Sequence, residues 1–248
     1  MILEYHRPRT LAGALELLAR PSPQTAPLGG GTVLSHSAGE PVAVVDLQSL
    51  GLDTIEPQGS AWVIGAAARL EQLVQQPGLP DALKQAISLD AALNMRNMAT
   101  LAGSIVTGSG TSALLVVLLA LDARLTWQPE GKDSAIGDYL SLRTTPTLGR
   151  LITQVQFSAT AQVRFASVGR SPKDLPIVAC AVARWPSGRT RVVIGGDAPA
   201  PVLAMDGTEA GDFDILAQNA CGVLSTRFAS REYLSDAAKT LIQRLFQQ

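Results

Sequence analysis

The sequence predicts an α+β fold in two domains, and three observations carry that reading. Up to about residue 150, amphipathic helical stretches alternate with short β-branched runs. From Leu151 onward the texture changes to strand-like runs separated by turn residues and closed by a helical C terminus. Of the 248 residues, 46% are apolar and 17% charged, which supplies core for one large or two modest domains and argues against disorder. The predicted boundaries are 1–155, divided near residue 52 into parts 1–52 and 53–155, and then 156–248.

Taken in order, "PRTLAGALELLAR" places Leu11, Ala14, Leu15 and Leu18 on one helical stripe, with Thr10 as N-cap. "PVAVVDL" and "AWVIGA" read as strands. "PDALKQAISLDAAL" reads as a helix opened by Pro80 and Asp81. "ALLVVLLAL", Ala113 to Leu121, is too short to span a bilayer and reads as a buried helix, followed by a strand from Ala123 to Trp127. "LITQVQF", "AQVRFASVG", "IVACAVARW" and "TRVVIGG" form the β-rich region, and "SDAAKTLIQRLF" the closing helix. The chain shows no internal repeat and no low-complexity tract.

Charge and composition narrow the function. The net charge is −1 with no basic block, so nucleic acid and anionic membranes find no electrostatic footprint. "MILEYHRPRT" has no apolar segment after a basic one, so no signal peptide is expected and the expected compartment is the cytoplasm. Cys180 and Cys221 belong to no C-x-x-C and read as buried structural thiols, so no metal or cluster site is expected within this chain. His6 and His36 are unpaired, and His36, just past a glycine run, reads as a loop histidine that either meets solvent or faces a ligand.

That glycine run, in "TAPLGGGTVLSHS", is the first of two loops with ligand chemistry. It is not a dinucleotide fingerprint of the G-x-G-x-x-G kind, because after Gly29 and Gly31 the third position is Leu34. No G-x-x-x-x-G-K-[ST] occurs either. A tight turn would use such glycines, and so would an anion. The amides of Gly29, Gly30 and Gly31 are unobstructed by side chains and suit a nest around phosphate oxygens, with the Thr32 hydroxyl as a further donor. The second loop sets Thr100, Gly103, Ser104, Thr107 and Ser109 among small residues, offering hydroxyls on an approachable chain. A ligand with a diphosphate and a polyol arm would use both loops. Neither carries a lysine or arginine, so backbone donors would do most of the binding.

With "MRN" before the second loop and "LLALDARL" after it, the pair resembles the FAD-binding medium subunit of molybdenum hydroxylases, the xanthine dehydrogenase and carbon monoxide dehydrogenase family. Gly29-Gly30-Gly31-Thr32-Val33-Leu34 stands for that family's A-G-G-T-D-L, and Met95 to Ser104 for its I-R-N-x-A-T-I-G-G-N. Tyr5, Pro8 and "TLAGALELLA" are similar to its first helix, "VVDL" and "VIGAAARL" to its next strands. "FASVGRSPKDLPIVACAVA" and "VVIGGDAPAPVLA" are similar to its C-terminal domain, so the resemblance covers nearly the whole chain. It implies a two-part FAD-binding domain followed by a smaller α+β domain with an antiparallel sheet. It implies FAD held by Pro27, Leu28, Gly29, Gly30, Gly31, Thr32, Leu34, Thr100, Ala102, Gly103, Ser104, Val106 and Thr107, with Leu34 and Val106 packing rather than hydrogen-bonding. The implied partners are a large subunit carrying the molybdenum cofactor, where substrate is oxidised, and a small subunit with two 2Fe–2S clusters. The subunit itself would pass electrons to a final acceptor and contribute no catalytic acid, base or nucleophile.

Three departures fall at the ligand loops. Ala102 stands where the family has a glycine, Ser104 where it has an asparagine, and Ala113 where an aspartate would hold a flavin hydroxyl. Losing one such bond costs about 1–3 kcal/mol, roughly ten- to a hundredfold in affinity. These motivate a second reading, a flavin-free structural subunit. A third, a stand-alone FAD enzyme, would need a pocket acid or base. Arg170 and Lys173, in "GRSPKD", read either as a surface loop or, by family position, as cations near the flavin ring.

Overall fold

The stripe at Leu11, Ala14, Leu15 and Leu18 does form a helix, and it links two strands of a parallel sheet. The computed structural model describes residues 1–34, 41–143, 149–171, 174–209 and 211–247. Strand β1 (Ile2–His6), helix α1 (Leu11–Ala19) and strand β2 (Thr25–Leu28) lead to β3 (Val42–Asp46), which pairs in parallel with both earlier strands in the order β1-β3-β2. Thr10 caps α1, its hydroxyl accepting from the Gly13 amide at 3.2 Å. Ala14 and Leu18 are buried with Val45, Leu47 and Leu151. Strand β1 has no alternating pattern to betray it, since Ile2, Leu3 and Tyr5 are all exposed on an edge strand.

The contacts divide the chain into two units. The first comprises residues 1–75, 93–107 and 124–156. Beside the parallel sheet it holds a five-stranded sheet in the order β4 (Ile55–Gln58), β5 (Ala61–Gly65), β8 (Leu151–Ser158), β6 (Arg124–Gln128), β7 (Lys132–Ala135). Its helices are α2 (Leu70–Gln75), α4 (Leu93–Arg96), α5 (Leu101–Thr107) and α7 (Ile136–Leu142). The strand read from "LITQVQF" is thus β8, an inner strand of this sheet.

The second unit comprises residues 76–92, 108–123 and 157–248. Strands β9 (Gln162–Val168), β10 (Val178–Arg184), β11 (Thr190–Gly196) and β12 (Val202–Gly207) form an antiparallel sheet in the order β12-β11-β10-β9. Val178, Cys180 and Val182 pack into a cluster with α8 (Phe213–Cys221) and α9 (Arg231–Gln247). The alternate residues Ala179, Ala181 and Ala183 are buried on the other face. There the smallness of Gly195, opposite Ala179, makes room for Val116 of α6 (Ala113–Ala120), which packs beside α3 (Asp81–Asp90). Helices α3 and α6 therefore lie in the second unit, although the sequence reading put them within 1–155. All eight residues of α6 are buried, so it needs a sheet face bare enough to cover it, and the face made by the alanines of β10 beside Gly195 of β11 is that surface.

One further boundary differs from expectation. The helix read over residues 80–93 stops at Asp90, with Ala91 already extended, and α4 is a separate turn. Both cysteines are buried and unpaired as expected, and burial pushes each thiol up, Cys221 to about 11.

Candidate functional site

The two loops close on each other in the first unit. Leu28 ends β2 against Asp46, its carbonyl accepting from the Leu47 amide at 3.1 Å. The chain then runs straight into the second loop. A methyl group on Gly29 would sit 2.5 Å from the Thr100 hydroxyl, and one on Gly30 would overlap the Met98 carbonyl outright. Gly31 takes a left-handed φ of 69°. Among the described residues, the amides of Gly29, Gly30 and Gly31 donate to no protein acceptor. They are available donors on a bare backbone.

The second loop is pinned from behind. The Leu70 amide donates to Ala99, Leu101 to Ala68 and Ala102 to Ala66, at 2.9–3.0 Å, which holds residues 99–102 along the 66–70 segment. Thr100, buried, accepts from the Gly103 amide through its hydroxyl at 3.3 Å and so caps the turn into α5. Leu101 and Ile105 face the core, which turns Ala102, Gly103, Val106 and Thr107 the other way. The Thr107 hydroxyl donates to the Gly103 carbonyl at 2.8 Å.

Both loops line one cavity of about 270 Å³. Of the residues expected to hold FAD, Pro27, Gly29, Gly30, Gly31, Thr32, Leu34, Thr100, Ala102, Gly103, Val106 and Thr107 line it, and Leu28 and Ser104 do not. Ser104 is turned off by the 100° step of α5. The methyl group of Ala102 is part of the wall. Gly29, Gly30 and Thr100 also line a smaller cavity of about 190 Å³, together with Leu47, Gln48, Ala67, Arg69, Asn97 and Met98.

Part of the wall carried no sequence signal. Trp127, Tyr139, Arg150, Leu151 and Ile152 complete the larger cavity. Trp127 and Tyr139 rings lie 5.4 Å apart, and the Arg150 guanidinium sits 4.8 Å over the Trp127 ring. Burial raises the Tyr139 hydroxyl above its usual range. Among the described residues, no carboxylate and no imidazole lines this cavity.

The remaining expected residues stand elsewhere. His36 and Lys173 lie outside the described residues. Arg170 is 70% exposed and pairs with Asp174 at 3.8 Å. Ala113 is fully buried at the start of α6, its amide donating to Asp90 at 2.7 Å. Among the described residues, no cluster of three or more His, Cys, Asp or Glu is arranged to hold a metal, and no helix is long and apolar enough to cross a membrane.

A family model described as the FAD binding domain in molybdopterin dehydrogenase matches residues 1–157. The uncharacterized protein YgfM of Escherichia coli (strain K12) is 31% identical over 198 residues, covering 79% of this chain and 75% of that one. The carbon monoxide dehydrogenase medium chain of Hydrogenophaga pseudoflava is 27% identical over 203 residues, 75% of this chain and 70% of the relative. Among solved structures, carbon monoxide dehydrogenase from Hydrogenophaga pseudoflava lacking the Mo-pyranopterin moiety superposes with a TM-score of 0.84 at 21% identity, covering 100% of this chain and 96% of the other. Quinoline 2-oxidoreductase from Pseudomonas putida 86 gives 0.79 at 19% identity, with coverages of 98% and 95%. At these identities the structural likeness is one of fold.

Proposed function

This chain belongs to the family of FAD binding domains in molybdopterin dehydrogenases, and from that premise we propose that it is the flavoprotein subunit of a molybdenum hydroxylase-type enzyme, carrying electrons from the iron–sulfur clusters of a partner through FAD to a final acceptor. One observation supports this most. Two loops remote in sequence close on one cavity while the Gly29–Gly31 amides stay unspent. A diphosphate is the ligand part that such a row of donors suits.

Bound FAD supplies the redox chemistry, and the protein binds, orients and shields it. The amides of Gly29, Gly30 and Gly31 would hold the diphosphate, and the hydroxyls of Thr32 and Thr107 the polyol arm. Val33, Leu34, Val106 and Ile152 give that cavity an apolar wall. The name of the carbon monoxide dehydrogenase medium chain speaks for partner subunits, here a molybdenum-cofactor large subunit and a 2Fe–2S small subunit. On the other side, the Ala102 methyl in the wall favours a flavin-free structural subunit.

The absorption spectrum of the purified chain, with and without added FAD, decides between the two. The expected outcome is near-stoichiometric flavin, released on denaturation and quantified. A chain that takes up no flavin from excess FAD overturns the cofactor reading for the isolated subunit.

A further inference from the structure

The cavity of about 270 Å³ that both loops line has one charged residue among its described lining, and it comes from neither glycine loop. Arg150 enters from the start of β8, and its surroundings fix it from three sides. Behind it, Gly149 adopts a φ of 72°, donates its amide to the Leu18 carbonyl at 3.2 Å and packs against Ala19. Ahead of it, Leu151 is already in β8 and buried in the α1 cluster. Below it lies the Trp127 ring, 4.8 Å from the guanidinium carbon. That platform is itself locked, since the Trp127 indole N–H donates to the Ser134 hydroxyl at 2.9 Å and Tyr139 leans on the ring.

We propose that Arg150, held on Trp127, is the cation through which this cavity recognises the diphosphate of its dinucleotide, making it a specificity-determining residue of the site. The inference rests on the FAD reading above and adds the counter-charge that neither loop carries. Three physical points carry it. A guanidinium keeps its charge at every working pH and pairs with phosphate oxygens through several donors at once. Its position over a fixed ring means that little side-chain freedom remains to be lost on binding. Because the guanidinium already covers the indole, the Trp127 ring serves as the support for the arginine, not as a stacking surface for an adenine. Glu130 competes for the same guanidinium at 3.3 Å, but both side chains are about two-fifths exposed, so that pair is weak and easily exchanged for a phosphate.

The test is titration of the purified chain with FAD by calorimetry at low and high salt, for wild type and four variants. Arg150→Gln is expected to bind FAD about tenfold more weakly at about 50 mM salt, the gap narrowing at about 500 mM as screening shortens the reach of the charge. Arg150→Lys recovers part of the loss. Glu130→Gln, which frees the guanidinium, tightens binding about two- to threefold, a gain of a few tenths of a kcal/mol. A merely packing role for Arg150 would show none of this salt dependence and no gain in Glu130→Gln. Unchanged affinity in Arg150→Gln, a salt-independent loss that lysine does not recover, or a loss carried by Arg69→Gln instead overturns the proposal and leaves the FAD reading standing. A wild-type chain that takes no FAD overturns the cofactor reading itself.

Discussion

Gly29, Gly30 and Gly31 are consecutive, yet two different reasons keep them bare. Gly29 and Gly30 leave no room for a β-carbon because the second loop occupies that space, whereas Gly31 holds a left-handed φ. The bareness first serves the closure of one loop on the other, and the free amides are its consequence. Ala102 is the reverse case, a methyl in the cavity wall on the second loop. Ala102→Gly is expected to raise FAD affinity while costing about 0.5–1 kcal/mol of stability, since glycine weakens a helix. Titration and thermal melting on the same sample check both halves. At this scale the loops were legible from sequence, because glycine runs and hydroxyl spacing are local. Arg150 and Trp127 were not, because nothing near either residue marks it as facing a cavity.

Helix α6 shows what a buried element requires. Its eight residues are all inside, so its first amides need partners that are also inside. Ser112 caps it, its hydroxyl accepting from the Leu115 amide at 3.2 Å, and Asp90 of α3 accepts from the Ser112 hydroxyl and from the Ala113 and Leu114 amides. Burial raises the Asp90 carboxyl above its ordinary value, with those hydrogen bonds opposing the rise. The folded state therefore binds a proton more readily than the unfolded one, and stability falls as pH rises through the window between the ordinary and the raised value. Asp90→Ala, which strands these donors, is expected to cost about 2–4 kcal/mol in urea unfolding at neutral pH. The deficit against wild type should widen as pH is lowered toward the ordinary aspartate value. Asp206 has the opposite sign. Its bond to Arg189 lowers its carboxyl, so the stability it contributes is present above the ordinary value and is lost as pH falls. The sequence marked α6 as a buried helix by its composition, but Asp90 looked like one more residue of a longer helix.

For the whole molecule, the order of segments matters more than their boundaries. The chain passes from the first unit to the second at residue 76, returns at 93, leaves at 108, returns at 124 and leaves again after 156. A fragment of residues 1–155 would carry α3 and α6 without the β9–β12 sheet they cover, exposing Leu114, Leu115, Leu118 and Leu119, which the intact chain buries. It is expected to be expanded, to bind a hydrophobic dye and to lack a cooperative melt. A cooperative melt with no dye binding would show that the 1–155 segment folds as an independent domain.

What the sequence determined by itself is what local pattern and chemistry can specify. Apolar stripes and β-branched runs set the α+β class, and two motif-bearing loops were enough to place the chain among FAD-binding medium subunits. The tertiary structure decided which sheet each buried helix covers, which loop residues face the cavity, and that Trp127, Tyr139 and Arg150 complete its wall. The physical reason is one of range. Secondary structure answers to neighbours a few residues away, whereas a cavity wall and a buried face are completed by residues that the chain keeps far apart and only packing brings together.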